Sequence, residues 1–90
     1  MTHELKILPQ YFNDIMFGNK RFEIRKNDRD FHESDKLILK EWSTLRNDYT
    51  GNEITALIDY IHYGNGEFGL AFGYCILGLT DIVCVLGKGE

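Results

Sequence analysis

The side chains best suited to chemistry in this chain are Lys20, Glu23 and Arg25, close together in one charged segment. Arginine offers a planar fork of donors suited to a phosphate or a base edge, and glutamate offers an acceptor or a proton-transfer group. Residues 18 to 29 place five basic and two acidic side chains around two large apolar ones, in a chain whose formal net charge is −4. If a strand runs through Phe22 and Ile24, these two face one way while Arg21, Glu23 and Arg25 face the other. Glu23 and Arg25 are then neighbours on one face, able to pair or to hold a ligand between them. Lys20 has the opposite parity and joins them only if the strand begins after it or bulges there. The bland reading of all three is a solvated strand face with an ion pair of small energetic value.

Other polar residues are weaker candidates. His3 could serve as a polar contact or proton carrier, but His3 and Lys6 have opposite strand parity and cannot share a flat face. Arg29, with Asn27 and Asp28, suits a turn that grips phosphate or one held by its own Asx hydrogen bonds. Trp42, Tyr49, Phe68 and Tyr74 are candidates for stacking on an exposed base, against the alternative that they belong to the core. The three histidines are scattered and lack ligand spacing, and Cys75 and Cys84 have no partner ligands, so neither a metal nor a cofactor is implied. Ser34 and Ser43 have no recognisable base partner, and the glycines from Gly64 to Gly73 precede a strand rather than a helix, unlike a phosphate loop.

The elements that must position these residues follow from periodicity. His3 to Leu8 alternates as a half-buried strand. Pro9 suits a first helical turn, and a short helix to about Phe17 places Phe12, Ile15 and Met16 on one face before Gly18 stops it. A strand follows at Phe22, and another spans Lys36 to Trp42. Leu45 to Asn52 reads as a hairpin connection, Glu53 to Tyr63 as a long strand, and Gly64 to Gly73 as a flexible loop. Tyr74 to Thr80 is a further strand, with Asp81 to Leu86 its continuation after a bulge or a sixth strand. The pattern predicts a small antiparallel sheet of five to six strands, curled toward a barrel, with the helix over one opening: an α+β, mainly β fold.

Ninety residues make one domain, expected over 1–90 with residues 87–90 frayed. A pI near 5.3 excludes nucleic-acid binding through bulk charge, so any polyanion must meet a local patch. Both cysteines lie in apolar runs, and without a secretory signal or disulfide framework a soluble, cytoplasmic protein is expected. No apolar run approaches a membrane span, and nothing in the pattern fixes an oligomeric state.

Gly18-x-Lys20-x-x-Glu23-x-Arg25 resembles the signature of ASCH domains of the PUA-like superfamily, and more closely a bacterial and phage-associated subgroup of unknown function, DUF3850. The likeness extends over His3-Glu4-Leu5-Lys6, Phe22 to Phe31, Leu37-x-Leu39-x-Glu41-Trp42, Tyr49-Thr50-Gly51, Gly69-Leu70 and Gly73 to Leu77. It implies a PUA-like β-barrel with a helix beside a cleft that binds RNA. In some ASCH relatives the cleft is an amidohydrolase acting on an acetylated cytidine, through the signature lysine, a hydroxyl residue three positions on and a separate glutamate. Lys20 matches the lysine, but Glu23 stands in the hydroxyl position, which argues against catalysis. Ser34-Asp35 stands where the family has Gly-Asp, a difference of turn geometry.

The leading expectation is therefore a module binding RNA or a nucleotide through Lys20, Glu23, Arg25, Arg29, His3, Lys6 and Tyr74. Its cleft is bordered by the helix, the charged segment and the glycine-rich loop. The alternatives are a small hydrolase of a modified nucleoside, with Lys20 as base or nucleophile and Glu23 as proton shuttle, and a protein-interaction module.

Overall fold

The computed structural model describes residues 1–87. Five strands form one sheet in the order β1-β3-β4-β5-β2, with β1 at Thr2–Ile7, β2 at Phe22–Lys26, β3 at Lys36–Ser43, β4 at Asp48–Tyr63 and β5 at Tyr74–Val85. One helix, α1, spans Pro9–Met16. The sheet curls into a half-barrel whose two edges, β1 and β2, approach without pairing.

The expected antiparallel sheet needs one correction. β2–β5, β3–β4 and β4–β5 are antiparallel, but β1 runs parallel to β3, from Thr2 opposite Lys36 to Ile7 opposite Glu41. Parallel neighbours require a crossover, and here residues 8–35 supply it, carrying α1 and β2 across. Local alternation cannot reveal a pairing between residues so far apart.

Alternation does decide the faces. His3, Leu5 and Ile7 of β1 turn inward with Leu37 and Leu39 of β3, Ile54, Ala56 and Ile58 of β4, and Cys75, Leu77 and Leu79 of β5. Phe12 and Ile15 close the core from α1, and Phe31 closes it from the loop before β3.

One further expectation shifts and one open alternative is decided. The turn signals before Asn52 lie partly inside β4, which starts at Asp48; Gly51, at φ 92°, instead forms an irregularity in β4 where its register with β3 slips between Lys40 and Trp42. Of the two alternatives for the last strand region, continuation past a bulge holds: Tyr74 to Val85 is one strand. Register shifts at Thr55/Leu57 and Ile58/Tyr60 leave first an extra residue on β5 around Asp81, at φ 52°, and then one on β4 at Asp59. These offset each other, so β5 stays in the sheet. The fraying expected at 87–90 falls mostly on residues 88–90, outside the described residues, while the Gly87 N–H donates to Asn52 Oδ1 at 2.8 Å.

Candidate functional site

The end of α1 sets the position of Lys20. Gly18 adopts φ 81°, a left-handed conformation open to glycine at little cost, and turns the chain back so that the N–H groups of Asn19 and Lys20 both donate to the Asp14 carbonyl, at 2.9 and 3.1 Å. Because β2 begins at Phe22, Lys20 lies outside the strand and its parity does not bind it. It swings to the inner face, where its Nζ donates to Glu23 Oε2. Arg25, on that same face, donates from Nε and Nη2 to Glu23 Oε1 at 3.1 and 2.7 Å. The Glu23 carboxylate, 3% exposed, is thus clamped between two cations, with both oxygens occupied.

The same arginine joins the two sheet edges. Arg25 Nη2 also donates to the Lys6 carbonyl at 2.8 Å, and Arg29 Nη1 donates to the Glu4 carbonyl at 3.1 Å. Above the Arg25 bridge lies a cavity of about 670 Å³. It is lined by residues 6–8 at the end of β1, Tyr11 and Asp14 of α1, Asn19, Lys20 and residues 22–26 of β2. That volume is in the range of small-ligand sites. Lys20, Arg25 and Lys26 outnumber Asp14 and Glu23 among the lining residues, a small local excess of positive charge in an acidic chain.

Not every expected residue reaches this cavity. Lys6 lines it at β1, but its ammonium lies on the outer face, 3.8 Å from the centre of the Trp42 ring. His3 turns into the core at the far end of β1, where its Nε2 lies 2.8 Å from Asp35 Oδ2 and its ring meets Phe31 edge-on at 4.8 Å. Asp35 also accepts from the N-terminal ammonium and the His32 N–H, both at 3.0 Å. The His3 bond foremost, then those of the N-terminus and His32, hold the Asp35 carboxyl far below the ordinary carboxylate range against the opposing effect of burial. Arg29 is spent on the seam, and Tyr74 lies opposite Lys26 at the start of β5, outside the lining. The glycine-rich loop contributes no lining residue either; it makes a 3-10 turn at Glu67–Gly69 that carries the exposed Phe68.

The aromatic side chains at the cavity are Tyr11 and Phe22, whose ring centres lie 4.9 and 5.4 Å from Lys20 Nζ. Tyr11 was legible in principle: Tyr11 and Asp14 each precede an inward helical residue, Phe12 and Ile15, and so share the flank of α1 beside the core. Elsewhere, Glu41 is a further buried carboxylate, with Oε1 accepting from Thr50 Oγ1 and Asn52 Nδ2 at 2.9 and 3.0 Å. Among the described residues no cluster of His, Cys, Asp and Glu is suited to a metal ion, and no helix is long and apolar enough to cross a membrane. Cys75 and Cys84 are free thiols, and burial pushes the Cys75 thiol up, with Asp28 adding to the effect.

A family described as a domain of unknown function, DUF3850, matches residues 2–79. The chain belongs to the DUF3850 family. The match takes in β1, α1, β2, β3, β4 and the first half of β5, and so every wall of the cavity. The chain is similar to an uncharacterized 12.9 kDa protein in the GpA 3' region of Escherichia phage P2, 41% identical over 56 residues. Those residues are 62% of this chain and 50% of the phage protein, so the chain spans about half the length of that relative.

Proposed function

We propose that this DUF3850 domain binds RNA, or a nucleotide within RNA, in the cavity between β1, α1 and β2. The observation that carries the reading is the convergence of Lys20, Glu23 and Arg25 at a nucleotide-sized cavity flanked by Tyr11 and Phe22. The cations attract phosphate, the Glu23 carboxylate orients them, and the aromatic rings offer stacking surfaces. The mainly β half-barrel with a helix beside a cleft also supports the finer assignment to an ASCH-type, PUA-like architecture. With Lys20 and Arg25 partly neutralised by Glu23 in an acidic chain, binding is weak, local and salt-sensitive.

Hydrolysis of a modified nucleoside makes a different demand on the same pair. A nucleophilic lysine must present a free amine, whereas the Lys20 Nζ donates to Glu23. This favours binding over catalysis. Release of acetate from acetylated cytidine by the wild type, lost in Lys20→Ala, would reverse that preference.

The test of binding is an NMR titration with short single-stranded RNA oligonucleotides at low and moderate salt. Shifts confined to residues 6–26 around the cavity, and weakened by salt, are expected. Their absence from residues 18–29 at low salt would sink the reading.

A further inference from the structure

The free edge of β2 offers a second kind of recognition. The Leu79 N–H donates to the Arg21 carbonyl at 3.0 Å and the Asn27 N–H donates to the Gly73 carbonyl at 2.8 Å, so the odd-numbered residues of this stretch exchange bonds with β5. Phe22 and Ile24 are therefore the residues whose N–H and C=O groups point away from β5, toward the β1 edge. Both residues line the cavity, and these main-chain groups have no partner among the described residues. Each residue presents one donor and one acceptor side by side.

An edge of this kind usually invites another strand. Here the seam is crossed twice: Arg25 reaches the Lys6 carbonyl, and Arg29 reaches the Glu4 carbonyl further along. An extended peptide running between β1 and β2 would have to displace both bridges, while α1 and Lys20 stand at the other end of the cavity. The space suits a short, flat occupant with its own adjacent donor and acceptor. The Watson–Crick edge of every nucleobase carries such a pair.

We propose that the β2 edge reads an unpaired nucleobase through the main-chain N–H and C=O groups of Phe22 and Ile24, with Glu23 and Arg25 beside it on the inner face. The inference rests on the nucleotide-binding reading above and adds to it that the base must be unpaired.

The test uses ¹⁵N-labelled protein and the four ribonucleoside monophosphates, each compared with the form methylated on its Watson–Crick edge. The amide protons of Phe22 and Ile24 should move downfield on binding, and methylation should weaken binding roughly tenfold or more. Ile24→Pro, which removes an edge N–H without removing a bond to β5, should bind roughly tenfold more weakly than Ile24→Ala, which keeps it. If Lys20 and Arg25 respond while both edge amides stay still and methylated nucleotides bind equally well, the edge reading is overturned and nucleotide binding stands. If no nucleotide perturbs the cavity, nucleotide binding itself fails and this inference fails with it. The methylation comparison holds even where the proline variant does not fold.

Discussion

Arg25 Nη2 donates at 2.8 Å to the backbone carbonyl of Lys6, and so bridges the two open edges of the sheet with a side chain instead of a ladder of backbone bonds. The same guanidinium holds Glu23. Lysine cannot replace it, because a compact ammonium lacks the planar fork that reaches a carboxylate and a carbonyl together. Arg25→Lys is expected to lose roughly 1–2 kcal/mol, read from the urea midpoint, and to speed hydrogen exchange in β1 more than in β4. Unchanged exchange in β1 would mean that the bridge carries no load.

Glu23 lies between Lys20 and Arg25 on the inner face. Glu23→Ala leaves two cations facing one another without a counter-charge and is expected to cost about 3 kcal/mol, more than Glu23→Gln at roughly 1–2 kcal/mol. Denaturation of both variants in parallel checks the order.

Lys20 is held outside β2 and, among the described residues, makes its side-chain hydrogen bond to Glu23 alone. Lys20→Ala is expected to keep the fold, weaken RNA binding roughly tenfold and flatten its dependence on salt. Fluorescence anisotropy at several salt concentrations measures both; an unchanged salt slope would remove Lys20 from the phosphate contacts.

Asp35 supplies a pH dependence. Its carboxyl titrates far lower folded than unfolded, where the ordinary value is 3.8, so the stability it contributes is present above about pH 4 and is lost as the pH falls further. Asp35→Asn should remove that component and leave a flatter stability profile on the acid side. Equal acid-side slopes for the two proteins, by urea titration between pH 3 and 6, would show that other carboxylates govern acid unfolding.

Ser34 adopts φ 75° in the turn before β3, a conformation that costs a residue with a Cβ about 1–2 kcal/mol. Ser34→Gly should therefore stabilise the domain by about 0.5–1 kcal/mol, after the greater flexibility of glycine in the unfolded chain is counted. A rise in Tm of a few degrees checks it.

Much of this fold was legible because its signals are local. Pro9 and Gly18 bound α1, and alternation separates Glu23 and Arg25 from Phe22 and Ile24; that the charged face is the inner one, with Phe22 and Ile24 exposed, alternation alone does not say. The parity of Lys20 required a strand that starts after it, and β2 starts at Phe22. What stayed hidden depends on residues distant in sequence. Nothing near His3 announces Asp35, and nothing near Arg29 announces the Glu4 carbonyl, so both were expected in the cleft. Tyr74 was favoured for stacking on residue type alone, while Tyr11 and Phe22 reach the cavity through the packing of α1 and the edge position of β2.

The order of strands also governs when the cavity exists. β2 docks on β5, with Glu23 opposite Leu77, although β5 comes last among the described strands. During synthesis, every charged residue of the triad emerges long before the surface that holds β2 in place. A nascent or truncated chain ending before Tyr74 carries the whole triad and none of its geometry. The cavity therefore takes shape only once β5 has been made, and a lesion in β5 would dismantle it without altering one residue that lines it.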